Sequence, residues 1–279
     1  MQTTAIVTDT NSGLNAPQAA DLGVWLLPMP YSIDGVLYRE DRPGPDLFAA
    51  MAAGAEVSTS QPAPGDVTAL WDRLLEDHDR VIHLPMSSGL SSSWETARAL
   101  AGEYGGRVLV PDLGRISVTL LQAVRRARRL AEEGVPAEEI AARLEESRRE
   151  ASIYIALDTL EPLKRGGRVT PAAAAMASIL HIKPVLRIDG GKLDAFRKAR
   201  GLHHAKETMV RAMEADLTGP LTGPETALFA VYSGDPALGE AWAEEVRAAF
   251  PDRTVELWSL PLSICCHTGG GAVALAAAR

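Results

Sequence analysis

VIHLPMSSGLSSSWETARAL, residues 81–100, changes its pattern twice along its length. It begins with a largely apolar run, Val81–Leu84, that predicts a buried strand. Hydroxyl side chains and a glycine follow in the loop Ser87–Ser93, and a helical pattern comes after them. Ser92 and Glu95 have the spacing of a capping box, which favours a helix start at this point. A strand, a hydroxyl loop and a helix in this order are typical of an α/β fold.

The same alternation of strand and helix patterns continues on both sides of this stretch. Short apolar runs predict further strands at Ala5–Thr8, Val24–Leu27, Val108–Val110 and Ile153–Leu157. Helical patterns are found at Pro64–Glu76, Ser93–Glu103, Arg115–Glu133 and Pro136–Arg149. Strands that are joined through helices run parallel. Residues 1–157 are therefore predicted to form an N-terminal α/β domain with a largely parallel sheet.

Beyond about residue 158 the pattern changes, and residues 158–279 are predicted to form a second α/β domain. A basic glycine loop, Lys164–Arg168, leads into an alanine-rich helix. The elements predicted after that helix are a hairpin with strands at 182–188 and 192–196, helices at 203–217 and 236–250, and strands at 227–231 and 254–258. Asp189-Gly190-Gly191 is the predicted hairpin turn, and a last helix is predicted over Ala272–Ala278.

Composition and charge exclude several classes of protein. Of the 279 residues, 46% are hydrophobic and 23% are charged, which is the balance of a globular protein with a full core. The net charge of −8 argues against a nucleic-acid partner, because phosphate binding needs a basic surface. No apolar run reaches the length of about 18 residues that spans a bilayer. Met1–Thr4 has neither a positive n-region nor a cleavage site, so we do not expect secretion. The adjacent cysteines Cys265 and Cys266 give no disulfide framework. We expect a soluble cytoplasmic protein without stable membrane insertion.

Three segments place hydroxyls, or a hydroxyl and an imidazole, just before a predicted helix: Ser58–Pro62, Ser87–Ser93 and His267–Gly271. The N-terminus of a helix has free N–H groups and a positive dipole end, so it favours anions. Hydroxyl groups add hydrogen-bond donors, and glycines let a ligand approach the backbone. Together the segments indicate a site for a carboxylate or a phosphate. The alternative for each segment alone is an ordinary helix cap.

Other chemistry has weaker support in the sequence. A serine hydrolase would need a nucleophile, a base and an orienting group, and no G-x-S-x-G motif is present. Cys265, Cys266 and His267 are contiguous and have no second ligand pair at zinc spacing, so no metal or cofactor is predicted. The basic run Arg125–Arg129 indicates either a solvated helix face or a docking surface for an acidic partner. The loop Lys164–Arg168 either is solvated or holds an arginine toward an anion.

The ordered set of motifs along the chain resembles the DegV family, which includes the fatty-acid-binding subunits of bacterial fatty acid kinase. The segments that carry the resemblance are Thr8-Asp9-Thr10, Thr59–Pro62, Ser87–Ser91, Leu163–Arg168, Ile182–Leu186, Lys198-Ala199-Arg200 and His267-Thr268-Gly269. Each is weak alone, whereas the set in this order runs essentially from end to end. The resemblance implies a two-domain α/β protein that encloses a long-chain fatty acid between its domains and is not itself a catalyst.

The resemblance also implies roles for residues at the matching positions. Thr59 and Ser91 would hold the fatty-acid carboxylate, with Ser88 as a nearby alternative, and His267 would lie at the same carboxylate. This chain has Trp94 where the family usually has a tyrosine, which is expected to alter the shape of the pocket.

Two arginines are implicated in a later step, in which a partner kinase subunit phosphorylates the bound acid. They are Arg168 in the Gly-Gly-Arg segment and Arg200 in the Lys-x-Arg segment. Gly201 follows Arg200 where the family commonly has threonine, and this departure bears on the coupling to the kinase. The alternative function is a hydrolase or phosphotransferase that uses the same anion site.

Overall fold

The structure, a computed structural model, describes residues 2–176, 182–189 and 191–279. Its strands are β1 (Thr4–Asp9), β2 (Trp25–Leu27), β3 (Pro30–Ile33), β4 (Val36–Arg39), β5 (Val57–Thr59), β6 (Arg80–Leu84), β7 (Val108–Leu109), β8 (Ala151–Ala156), β9 (Ile182–Asp189), β10 (Lys192–Arg200), β11 (Ala227–Tyr232), β12 (Val255–Ser259) and β13 (Val273–Ala278). Its α-helices are α1 (Ala16–Leu22), α2 (Leu47–Ala52), α3 (Pro64–Asp77), α4 (Ser93–Ala101), α5 (Ser117–Glu132), α6 (Ala137–Glu146), α7 (Glu161–Gly166), α8 (Pro171–Met176), α9 (Gly201–Thr218), α10 (Pro236–Ala249) and α11 (Leu262–Thr268).

The first sheet has the strand order β2-β1-β6-β7, and all its neighbours are parallel. Side chains alternate between its two faces because successive residues of a strand point in opposite directions. Ile6 and Ile82 pack with α1, α5 and α6 on one face. Val7 and Val81 pack with α3 and α4 on the other. The predicted parallel sheet of the first α/β unit is therefore confirmed.

The second sheet has the order β10-β9-β8-β13-β11-β12 and is antiparallel except between β11 and β12. One face is covered by α9 and α10 through side chains such as Met209 and Trp242. The other face presents Ile153, Ile155 and Phe229 toward the first unit. Because β8 pairs with β9 and β13, the two sheets separate before Ala151. The domain boundary predicted after residue 157 thus comes after β8, a strand that belongs to the second sheet.

A small antiparallel sheet, β4-β3-β5, was not predicted. The turn between β3 and β4 is Asp34-Gly35, and both residues have positive φ, 49° and 78°. Asp-Gly at a turn of this kind is the strongest short-range signal for a hairpin. The sequence therefore contained the signal for the β3–β4 hairpin. This sheet ends at Thr59, the first residue of one of the motifs.

Two predicted elements near the motifs are wrong. Residues 272–278 do not form a helix, because Val273–Ala278 is the buried central strand β13 between β8 and β11. His267 therefore lies in the last turn of α11, and its segment does not precede a helix. Lys164 and Gly166 lie in α7, not in a loop, and Gly167 ends that helix at a φ of 66°. The predicted hairpin turn includes Gly190, which lies outside the described residues.

Candidate functional site

A cavity of about 330 Å³ lies between the two α/β units. Its wall is mostly apolar: Met86, Leu90 and Ile116 come from the first unit, and Ile153 and Ile155 come from the second. The volume falls within the range of small-molecule sites, which are typically apolar with a few placed polar groups. The carboxyl ends of the parallel strands β1 and β6 lead into this region, as expected for a ligand site in an open parallel sheet.

Thr59 and His267 form a hydrogen-bonded pair in the cavity wall. The Oγ1 atom of Thr59 lies 2.8 Å from Nε2 of His267. Thr59 is the last residue of β5 and His267 lies in the last turn of α11, and these two elements pack against each other. The pairing brings together two of the predicted carboxylate ligands from opposite ends of the chain.

His267 is neutral at pH 7. Burial, together with the nearby guanidinium of Arg168, lowers the pKa of the imidazole to about 4. The ring packs directly on α7, where a Cβ atom at Gly166 would lie only 2.7 Å from Nδ1. Gly166 is thus required for close approach, whereas Gly167 is required for the left-handed backbone that ends α7. The Gly-Gly-Arg segment positions the histidine ring and then places Arg168, an exposed residue, in the cavity wall.

Ser91 also lines the cavity, and its hydroxyl organises the start of α4. Its Oγ accepts a hydrogen bond from the N–H of Ser93 at 3.2 Å and lies 2.8 Å from Oγ of Ser93. Ser92 makes no side-chain cap bond, so the predicted capping box is not formed. When Ser91 accepts from both groups of Ser93, its own O–H hydrogen is free to donate into the cavity.

Two of the predicted site residues lie elsewhere. Ser88 is not in the described cavity wall, and its hydroxyl donates to Oδ2 of Asp112 at 2.8 Å, where Arg148 also binds at 3.0 Å. Arg200 is exposed at the end of β10 and does not line the cavity described here. Trp94 donates from Nε1 to the carbonyl of Val110 and packs with the α3–α4 face of the first sheet. The expected effect of this tryptophan on pocket shape has no support in these contacts.

A buried acidic cluster next to the cavity was not predicted. Glu40 accepts hydrogen bonds from the Thr10 hydroxyl and from the N–H of Ser263, and burial raises the pKa of its carboxyl. Asp9 accepts from the N–H groups of Asn11 and Met86, both at 3.0 Å, and burial raises its pKa to about 7. Asp9 directly follows the predicted strand Ala5–Thr8 and could have been suspected, whereas nothing near Glu40 in the sequence indicates its partner on α11.

The acidic cluster and the cysteines hold α11 in place. Ser263 in the first turn of α11 donates from Oγ to Oδ1 of Asn11 at 2.9 Å, which ties this helix to the end of β1. Cys265 and Cys266 are buried in the core on the same helix, and burial raises the pKa of both thiols, that of Cys266 to about 12. These thiols are therefore protonated and serve as packing groups.

In residues 2–176, 182–189 and 191–279, no group of three or more His, Cys, Asp or Glu side chains is arranged to hold a metal ion. No helix in the same ranges is both long enough and apolar enough to cross a membrane.

The sequence and the fold were compared with those of known proteins. A family model described as "Uncharacterised protein, DegV family" matches residues 3–279. A DegV domain-containing protein of Deinococcus radiodurans is 31% identical, and the match covers 98% of this chain and 97% of the relative. A DegV domain-containing protein of Listeria monocytogenes is 30% identical, with coverage of 97% and 96%.

Solved structures give the same result. A DegV family protein from Thermus thermophilus, described by its fatty acid binding, superposes with a TM-score of 0.91 at 33% identity, over 100% of both chains. A fatty acid binding DegV family protein from Streptococcus agalactiae superposes with a TM-score of 0.88 at 25% identity, over 100% of this chain and 99% of the other. Sequence and fold agree along the whole length, and this chain belongs to the DegV family.

Proposed function

We propose that this protein binds a long-chain fatty acid in the 330 Å³ cavity, with the carboxylate at the Thr59–His267 pair and Ser91. The observation that carries the proposal is the composition of one wall: hydroxyl and imidazole groups from three separate elements line a cavity that is otherwise largely apolar. The similar Thermus and Streptococcus proteins are described as fatty acid binding, which supports the ligand class.

The two parts of such a ligand have different requirements. Each buried methylene contributes about 0.8 kcal/mol of transfer free energy, so an acyl chain suits the apolar wall. A carboxylate is tolerated away from water only when it is hydrogen-bonded. Thr96 donates to Gln61 at 2.9 Å, which ties the loop after Thr59 to the helix that follows Ser91. This bond supports a common position for the two hydroxyl groups.

His267 contributes to carboxylate binding as a neutral ring. With a proton on Nε2, the imidazole donates to Oγ1 of Thr59, and the threonine hydroxyl then donates to the carboxylate. In the described part of the chain no carboxylate binds His267, so the third member of a hydrolytic triad is missing. This arrangement favours binding over hydrolysis.

The second part of the proposal is that the bound acid is presented to a partner kinase. Phosphoryl transfer would form a bond between a carboxylate oxygen and the γ-phosphorus of a nucleoside triphosphate, and break the bond to the departing diphosphate. Arg168 is exposed at the cavity and supplies a guanidinium for the negative charge that accumulates there. Arg200 would assist from the exposed end of β10, toward the kinase rather than the fatty acid.

Mass spectrometry of the purified, denatured protein tests the first part. We expect one long-chain fatty acid per protein molecule. A protein that carries no lipid, does not bind added fatty acid and turns over ester or phosphate substrates would instead establish the hydrolase or phosphotransferase alternative.

A further inference from the structure

Ser117 is a polar residue in the cavity wall that the proposed carboxylate site does not use. It is the first residue of α5, is only 2% exposed and lines the cavity. Among the described residues its Oγ atom has no hydrogen-bond partner. A buried hydroxyl without a partner is costly, and most such groups in proteins are satisfied.

Ser117 takes no part in the side-chain contacts at the start of its helix. There the hydroxyl of Thr119 donates to the carbonyl of Ile116 at 2.7 Å and accepts from the N–H of Ile116 at 3.3 Å. Ser117 also has a φ of 54°, in the left-handed region that a non-glycine residue rarely adopts. Strained backbone of this kind is concentrated at functional sites.

The surroundings of Ser117 differ from those of the carboxylate site. Helix α5 packs against β1, β8 and β13, whereas Thr59 and His267 are carried by β5 and α11. Most cavity residues from elements near Ser117 are apolar and include Ile116, Ile153 and Ile188. The polar exception is Asn11, in the turn that packs against α5, and its side chain is already bonded to Ser263 and Met86. The N-terminus of α5 adds N–H groups that have no acceptor within the helix. Ser117 is thus an unpaired polar group in a part of the cavity whose other residues are apolar or already paired.

We propose that Ser117 binds an oxygen substituent on the acyl chain, so that the protein accepts hydroxylated fatty acids. This inference rests on the proposed fatty-acid function and extends it to the substrate class. A hydroxyl on the chain both donates and accepts, so it pairs with Oγ of Ser117 and with the N–H groups that begin α5. A second carboxylate is a poorer match, because Arg168, the cation in the described cavity wall, lies near His267 at the carboxylate site.

Competition between a plain and a hydroxylated acid tests this inference. Delipidated full-length protein is mixed with equal amounts of octadecanoic acid and one of its mid-chain monohydroxy isomers, and native mass spectrometry measures which acid is bound. The isomers are tried one by one. A neutral hydrogen bond of about 0.5–1.5 kcal/mol corresponds to a preference of about twofold to tenfold. The measured quantity is the ratio of bound hydroxy acid to bound octadecanoic acid. For at least one isomer, we expect this ratio to be about twofold to tenfold higher in the wild type than in the variants described next.

Two variants separate the hydroxyl from the backbone strain. Ser117→Ala removes the hydroxyl and keeps a side chain at positive φ, whereas Ser117→Gly removes both the hydroxyl and the strain. We expect both to lose the preference for the hydroxylated acid while they bind octadecanoic acid at least as well as the wild type. The ligand-free Ser117→Ala protein should also melt at a higher temperature, because a buried unpaired hydroxyl is gone.

Four results would overturn the inference. If the wild type prefers no isomer, or if the preference persists in both variants, Ser117 does not bind the chain and an ordered water satisfies it. If both folded variants lose binding of octadecanoic acid tenfold or more, Ser117 is a carboxylate ligand instead. If the wild type binds neither acid, the proposed fatty-acid function is contradicted as well. Binding of octadecanoic acid by the wild type therefore separates failure of the Ser117 inference from failure of the proposed function.

Discussion

Helix α11 has a buried polar group at each end, and the two groups differ in one respect. At its start, the Ser263 N–H and the Thr10 hydroxyl both donate to Glu40, so these groups are paired within the protein. At its end, His267 pairs with Thr59 in the wall of a cavity, where the threonine hydroxyl can still donate to a ligand. The first group is a structural connection, and the second is the proposed binding site. A cluster of buried polar residues indicates a ligand site when it has hydrogen-bond donors without partners in the wall of a cavity.

The largest effect is expected at the end of α11, where Thr59 and His267 line the cavity. The double change Thr59→Ala with Ser91→Ala removes two hydroxyl donors from the proposed carboxylate site. Each hydrogen bond to a charged group contributes about 1.5–3 kcal/mol, so binding of a long-chain fatty acid should weaken by about 3–6 kcal/mol. Isothermal titration of the delipidated protein measures this loss. Ser88→Ala is the matched control, since its hydroxyl binds Asp112 outside the described cavity wall. Unchanged affinity in the folded double variant would remove both hydroxyls from the site.

At the start of α11, substitution of Glu40 should lower the stability of the protein and not its affinity for a fatty acid. Glu40→Ala leaves the Thr10 hydroxyl and the Ser263 N–H without their acceptor, at a cost of about 2–4 kcal/mol in the free energy of unfolding. Glu40→Gln keeps an acceptor and should cost less. Urea denaturation of ligand-free protein measures both, with the exposed Glu103→Ala as a control within about 0.5 kcal/mol of wild type. A Glu40→Ala protein as stable as this control would show that the cluster does not hold α11.

Substitution of Arg168 distinguishes the binding of a fatty acid from its presentation to a kinase. Because it is exposed, Arg168→Ala should leave bound fatty acid in place. It should slow acyl-phosphate formation by a cognate kinase about tenfold or more, and Arg200→Ala should act in the same direction. Arg129→Ala, on the exposed face of α5, is the control. The rate is measured together with lipid occupancy, and equal rates at equal occupancy would exclude both arginines from phosphoryl transfer.

The smallest effect is the net dependence of stability on pH, because two buried groups contribute to it with opposite signs. The folded-state pKa of His267 is about 4, below its ordinary value of 6.5, so its contribution to stability falls as the pH drops from 6.5 to 4. The folded-state pKa of Asp9 is about 7, above its ordinary value of 3.8, so its contribution falls as the pH rises from 3.8 to 7. Each slope is at most about 1.4 kcal/mol per pH unit.

Unfolding free energies between pH 4 and 7 check both signs. His267→Ala should remove a positive slope with pH, and Asp9→Asn should remove a negative one. If either variant changes the slope in the opposite direction, the assignment of that group as neutral through burial is incorrect.

The sequence predicted those parts of the fold that depend on local patterns. The strand, hydroxyl loop and helix around residues 81–100 form as expected, because apolar runs, serines and helical periodicity act within a few residues of one another. Ala272–Ala278 was predicted wrongly because alanine favours helices on its own. Burial between β8 and β11 overrides that preference, and the small side chains then fit a strand covered on both faces.

The candidate site depends on contacts that no local pattern contains. The partners Thr59 and His267 are 208 positions apart. The hydroxyl segments indicated a shared anion site, and the resemblance to the DegV family assigned these two residues to one carboxylate. The bond from Ser263 to Glu40 spans 223 positions and had no signal at all. Ser117 lay inside the predicted helix over Arg115–Glu133, where its left-handed backbone could not be foreseen.

A crystal structure of the protein with a bound long-chain fatty acid tests the central claim most directly, because it locates the carboxylate. The expected result is a carboxylate within hydrogen-bond distance, about 2.5–3.0 Å, of Oγ1 of Thr59 and Oγ of Ser91, with the acyl chain along Ile153 and Ile155. A carboxylate at Ser117 and the start of α5, with the methyl end of the chain at Thr59 and His267, would contradict the account.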